Sequence, residues 1–184
     1  MNKYFKRALA WICTLTLVFS LSTVFASAAE AEREEELRST SYVVADNTFI
    51  YANQGGSGST TSVSKRAIVS SGTSSGTWAS NLTSSSGNHW PDASRNGVSG
   101  YMWDRKICPK QYCYKVYNVS SYLYNSASTS SGYKYNFSFP IGTIMYSTRN
   151  DSSSSFRYAY MLYNGSVYTG WILYGQTAKE SGVA

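Results

Sequence analysis

Residues 156–174 read FRYAYMLYNGSVYTGWILY. Two runs rich in aromatic and β-branched residues flank Asn164-Gly165. An Asn-Gly pair accepts the positive φ angles that a two-residue hairpin turn demands. With that turn, Leu162 faces Val167, Tyr160 faces Thr169 and Tyr158 faces Trp171. These residues share one face with Phe156 and Leu173. The face suits core packing at Leu162, Val167, Trp171 and Leu173, or a binding platform.

The same style recurs upstream. Residues 41–51 (SYVVADNTFIY) and 114–124 (YKVYNVSSYLY) are strand-like, and residues 133–139 alternate before Pro140. Residues 97–107 and 141–147 also have strand character. Residues 54–64, 70–87 and 125–132 are Ser/Gly/Thr-rich and read as loops, the second interrupted by Trp78 and Leu82. No long apolar stripe of helical period appears. Charged residues are only 14% of the 184, aromatics reach 16%, and 17 residues are tyrosine. Serine is about a fifth of residues 39–184. This composition excludes a coiled coil, a helical bundle, collagen and charge-rich disorder. It fits an all-β, polar-surfaced protein.

The first 28 residues carry an address. Lys3, Lys6 and Arg7 precede an apolar run, and Ala26-Ser27-Ala28 supplies a small-residue cleavage site. That grammar predicts a signal peptide at 1–28, removed after Ala28, and hence a secreted or surface-associated protein. No second hydrophobic stretch exists, so no membrane span is expected after cleavage. The next residues, AEAEREEELR, form an acidic tail to residue 40 with net charge −3 over residues 29–38. From Ser39 onward 11 basic groups stand against 5 acidic ones. A cationic body therefore follows an anionic tail.

Cys108 and Cys113 bracket four residues as C-x4-C. In an exported chain such a pair suggests a disulfide closing a small loop, with two free thiols as the alternative. A zinc site lacks ligands, because His89 is the lone histidine.

The two halves resemble each other. Tyr42-Val43-Val44-Ala45-Asp46 aligns with Tyr114-Lys115-Val116-Tyr117-Asn118, and Asn96-Gly97 aligns with Asn164-Gly165. Gly100-Tyr101-Met102-Trp103 aligns with Gly170-Trp171-Ile172-Leu173. Offsets of 68 to 72 residues separate them, as a tandem duplication with drifting loop lengths would give. Each unit resembles the bacterial SH3-like (SH3b) domain. Asn96-Gly97-Val98-Ser99-Gly100-Tyr101-Met102 carries that family's closing hairpin motif. Residues 164–172 carry it with two extra residues, and Ser126 to Ser131 stands where the family has a Ser-rich first loop. No Arg-Ser-Gly-Pro run is present in either unit. The resemblance implies two tandem small SH3-like barrels, at 41–107 and 114–177, joined by a linker at 108–113 and ended by a tail at 178–184. It also implies extracellular binding of peptidoglycan or another wall polymer.

Catalytic signatures are missing from the sequence. His89 lies near Asp92 and Ser94 in a Trp-Pro loop, but a lone histidine there is an ordinary loop residue. The carboxylates after the tail are scattered, and no phosphate-binding glycine loop precedes a helix. The expectation is a non-enzymatic, monomeric binding protein without a cofactor and with no nucleic-acid partner. Aromatic faces can stack on sugar C–H surfaces while hydroxyls serve sugar hydroxyls. The expected ligand-binding residues are Trp78, Trp90, Tyr101, Trp103, Tyr122, Tyr124, Tyr158 and Tyr163, with Arg105 and Lys106 for anionic polymer. Two linked units would gain avidity on a repeating polymer. The alternatives are a bacteriocin-like antagonist and a self-assembling surface or matrix protein.

Overall fold

A computed structural model describes residues 40–83, 88–148 and 155–183. The leader and the acidic tail through residue 39 lie outside the described residues. The described chain is all-β apart from one short helix and four 3-10 turns. The first half holds β1 (Thr40–Val44), β2 (Thr48–Tyr51), β3 (Ser59–Val63), β4 (Ile68–Ser71), helix α1 (Ser75–Thr83), β5 (Asp92–Arg95), β6 (Val98–Tyr101) and β7 (Ile107–Pro109). The second half holds β8 (Cys113–Val116), β9 (Ile144–Tyr146), β10 (Phe156–Tyr163), β11 (Ser166–Leu173) and β12 (Thr177–Lys179). One sheet runs β3-β2-β6-β5-β4-β1-β7 and the other β11-β10-β9-β8-β12, with neighbouring strands antiparallel. Neither sheet closes into a barrel.

The β10–β11 hairpin has the register its turn dictates, pairing Leu162 with Val167, Tyr160 with Thr169 and Tyr158 with Trp171. Asn164 and Gly165 take φ of 51° and 72°, and Asn96 and Gly97 of the β5–β6 hairpin take 51° and 77°. Both turns thus place two successive residues in the left-handed region.

The two sheets repeat one pairing scheme. β1 pairs with β4 and β7, as β8 pairs with β9 and β12. β4, β5 and β6 follow in order, as β9, β10 and β11 do. β7 and β12 each follow a 3-10 turn, Asp104–Lys106 and Tyr174–Gln176. Single hydrogen bonds match as well. Val44 N–H donates to Ala67 O at 2.8 Å and Val116 N–H to Thr143 O at 2.9 Å. Ala45 N–H donates to Lys106 O at 2.7 Å and Tyr117 N–H to Gln176 O at 2.8 Å. The outer hairpin differs between halves. β2 and β3 form a ladder, whereas residues 121–139 keep only isolated bridges, Ser121 with Phe139 and Tyr124 with Tyr133. Residues 133–139 therefore do not form the strand their alternation predicts.

The halves share a core. Tyr42, Val44, Ile50, Trp78 and Met102 of the first pack in one buried cluster with Cys113, Ile144, Tyr146 and Leu162 of the second. A second cluster, around Val116, Leu123, Phe139, Met161 and Ile172, belongs to the second half alone. Residues 108–113, expected as a linker, are the end of β7, a 3-10 turn at Lys110–Tyr112 and the start of β8. Cys108 and Cys113 are fully buried there, because each strand adds to its sheet without a spacer. Residues 178–183, expected as a tail, continue β12 and return to the first half, where Val183 bridges Ala67. Glu180, 2% exposed, accepts from Arg66 Nε at 3.0 Å, from Gly182 N–H at 2.9 Å and pairs with Lys115 Nζ at 2.9 Å.

Helix α1 was hidden in a Ser/Gly-rich stretch. Ser74 Oγ accepts from Thr77 N–H at 3.2 Å, an N-cap bond that satisfies one of the free donors of the first turn. Trp78 and Leu82, four residues apart, fall on one face and are buried.

Arg157 is 8% exposed and sits between two rings, its guanidinium carbon 3.9 Å from the Tyr114 centroid and 4.5 Å from that of Tyr174. Among the described residues its Nε and Nη1 have no hydrogen-bond partner. Cation–π attraction offsets part of the cost of burying the charge, at about 0.5–2 kcal/mol per ring. No carboxylate among the described residues pairs with it, and burial of a charge costs several kcal/mol. Arg157→Met keeps the length and drops the charge, so urea unfolding should give stability within about 1 kcal/mol of the wild type, or above it. Arg157→Ala should lose about 2–4 kcal/mol through the gap it leaves. A loss on Met substitution equal to that on Ala substitution would show that the charge itself stabilises.

Candidate functional site

Partly exposed aromatics gather in two rows. In the first half, Phe49 and Tyr51 lie one pleat apart on β2 with ring centroids at 6.0 Å. Tyr51 meets Trp90 edge-on at 5.5 Å, and Trp90 stacks on Trp103 at 6.4 Å with an interplanar angle of 18°. Arg105 places its guanidinium carbon 5.4 Å from the Trp103 centroid. Phe49 is 43% exposed. In the second half, Tyr122 stacks on Tyr133 at 4.1 Å, and Tyr133 meets Tyr124 at 5.1 Å. Tyr158 meets Trp171 at 5.3 Å. Tyr133 is 54% exposed. The rows occupy matching positions, because Tyr51 pairs with Tyr101 on β6 as Tyr124 bridges Trp171 on β11.

A cleft of about 500 Å³ lies between the halves. One wall is Leu82 and Thr83 at the end of α1 with Arg105 from the 3-10 turn. The other is Tyr160, Ser166, Val167 and Thr169 from the β10–β11 hairpin. The face predicted for that hairpin thus changes along its length. Leu162 is buried in the shared core, Tyr160 and Thr169 line the cleft, and Tyr158 and Trp171 are half-buried beyond it. Lys134 Nζ donates to Thr169 Oγ1 at 3.2 Å. Beneath Arg105, burial pushes the Asp104 carboxyl above the usual range. Hydrogen bonding from the Arg105 backbone and the charges of His89 and Arg105 offset only part of this.

The expected ligand residues divide. Trp90, Tyr101, Trp103, Tyr122 and Tyr158 are half-buried and belong to the two rows, and Arg105 reaches the cleft. Trp78 is core. It is 1% exposed, donates Nε1–H to Asp104 O at 3.1 Å and meets Tyr146 at 5.0 Å. Tyr124 is 8% exposed and joins its row from below. Tyr163 packs edge-on against Phe139 at 5.7 Å, because odd-numbered β10 residues face the second core. Lys106 is held by Asp46 at 2.7 Å. Cys108 and Cys113 correct the disulfide expectation. Both are free, buried thiols, and burial followed by the Cys113 contact pushes the Cys108 thiol well up. Phe49, Tyr133 and Lys134 are positions that the sequence does not mark as binding residues.

Among the described residues, no group of three or more His, Cys, Asp or Glu side chains could hold a metal ion. Among them, too, no helix is long and apolar enough to cross a membrane. Compared with known proteins, the chain matches no family model, no curated protein and no solved structure.

Proposed function

We infer that this is a secreted, non-catalytic binding protein whose halves are diverged copies of one SH3-like unit, and that it holds bacterial cell-wall polymer, peptidoglycan or wall glycan. The observation that carries this reading is the pair of aromatic rows at matching positions of two sheets with one pairing scheme. Half-exposed rings beside hydroxyl-rich surface suit sugar faces and sugar hydroxyls together. The cationic body suits an anionic wall. Among the described residues three of the four carboxylates are engaged in holding the fold, and the fourth, Asp104, is buried at 1% exposure. Asp46 pairs with Lys106, Glu180 with Arg66 and Lys115, and Asp92 accepts from Ser71 Oγ and Gly72 N–H. Avidity would here come from two rows on one shared core rather than from separable domains.

Sedimentation with purified sacculi tests the reading through the most exposed rings. Phe49→Ala combined with Tyr133→Ala should leave the chain folded, with a stability loss of about 1–2 kcal/mol from the ring contacts it removes, because both side chains are exposed. It should weaken sacculus binding about tenfold, with each ring contributing about 0.5–1.5 kcal/mol. Unchanged binding by this double variant would remove the aromatic rows from the account.

A further inference from the structure

The cleft between the halves has a feature that ring stacking does not need, a guanidinium that forms no ion pair among the described residues. Among the described residues no carboxylate lies within ion-pair distance of Arg105. Asp46 and Glu180 are taken by other cations, and Asp92 is tied to Ser71, Gly72 and Thr73. The nearest acid in sequence, Asp104, is buried at 1% exposure and acts on Arg105 through its charge without forming an ion pair with it. The Arg105 guanidinium carbon lies 5.4 Å from the Trp103 ring centroid, within cation–π range, and its N–H groups donate no hydrogen bond among the described residues. A planar guanidinium placed in this way suits two-point recognition of a carboxylate or phosphate. Across the cleft Lys134, bonded to Thr169, adds a second positive charge. Between the two cations the walls offer the hydroxyls of Thr83, Ser166 and Thr169, with Leu82, Val167 and Tyr160 as apolar surface. The volume of about 500 Å³ falls in the range of small-molecule sites.

We propose that this cleft is a subsite for an anionic polyhydroxylated unit of wall polymer, with the oxyanion on Arg105 and the carbon skeleton between the apolar walls. The proposal rests on the wall-polymer reading for the source of such a unit. Two wall sources share the chemistry, a sugar-borne carboxylate and a polyol phosphate. The aromatic rows then hold neutral stretches of polymer while the cleft selects for charge.

Amide NMR spectra of the chain from Ala29 to Ala184, titrated with three probes, test this. N-acetylmuramic acid carries a carboxylate that N-acetylglucosamine lacks, and glycerol phosphate carries a phosphate. At least one acid should shift the Arg105, Ser166 and Thr169 amides and bind at least tenfold more tightly than N-acetylglucosamine, a difference of about 1.4 kcal/mol. The tighter of the two acids identifies the source. Arg105→Gln should keep the spectrum of the folded chain and abolish the preference. The proposal is overturned if neither acid shifts these amides, if N-acetylglucosamine binds as tightly as the acids, or if Arg105→Gln retains the preference. Failure here with sacculus sedimentation intact removes the cleft alone. Acid binding at Arg105 without sacculus sedimentation keeps the cleft and removes the wall reading.

Discussion

Glu180→Ala is expected to destabilise the protein by about 3–5 kcal/mol, as removal of one member of a buried ion pair does. Glu180 ties three parts of the chain at one point. Arg66 belongs to the first half, Lys115 to the second, and Gly182 to the segment that returns across both. Arg66 Nη2 adds a second bond at 3.1 Å, so the contact is two-pronged. Arg66 is 45% exposed and can turn to water once its partner is gone, which places the loss toward the lower end of that range. The pH dependence has a definite sign. Burial alone would raise the Glu180 carboxyl, but hydrogen bonds from Arg66, Lys115 and Gly182 N–H, with the Lys115 charge, hold it below the usual value. A carboxyl that titrates lower in the folded chain stabilises fully above its unfolded pKa, and the contribution fades as pH falls through the folded value. Urea midpoints of wild type and variant should therefore differ most near neutrality and converge below about pH 4. A gap that persists in acid would mean that packing, not charge, makes the contribution.

Gly100→Ala should cost about 3 kcal/mol or more. A methyl group on Gly100 would lie 2.3 Å from Tyr51 O and 2.8 Å from Ile50 Cγ2. The first neighbour is backbone and cannot swing aside, so β2 must move off β6 and take the fully buried Ile50 with it. The matching residue, Gly170, gives an internal comparison. Its methyl group would meet Leu123 Cβ at 2.9 Å and Tyr124 O at 3.1 Å. Gly170→Ala should lose about 1–2 kcal/mol, the same effect in a looser setting. Equal losses at both sites, or none at Gly100, would contradict the close approach of β2 and β6.

These two glycines also show how far the sequence could be read. Gly100-Tyr101 and Gly170-Trp171 align because a local demand, a strand passing against a neighbouring carbonyl, admits only glycine. The Asn-Gly turns are legible for the same reason, since their backbone angles select residue types directly. Helix α1 was not legible. Its Ser, Gly and Thr content favours loops, and Trp78 with Leu82 gains helical sense only against the shared core. An aromatic in a polar stretch looks surface-bound, so the sequence offers Trp78 as a ligand residue, whereas the core claims it. Phe49 and Tyr133 are the converse case. Their exposure depends on where β2 and the irregular second hairpin end up, which no local pattern states. The cleft is the least legible feature, since its walls come from Leu82, Thr83 and Arg105 on one side and Tyr160, Ser166, Val167 and Thr169 on the other, and meet only when the two halves pack.

Co-sedimentation of the chain from Ala29 to Ala184 with purified sacculi, with and without wall teichoic acid and in about 1 M salt, is the most direct test of wall recognition. At that salt the Debye length is about 3 Å and surface attraction is screened. The account predicts binding that survives both salt and teichoic acid removal, because ring stacking and hydroxyl contacts carry it. Binding that disappears under either condition, or that never occurs, would contradict it.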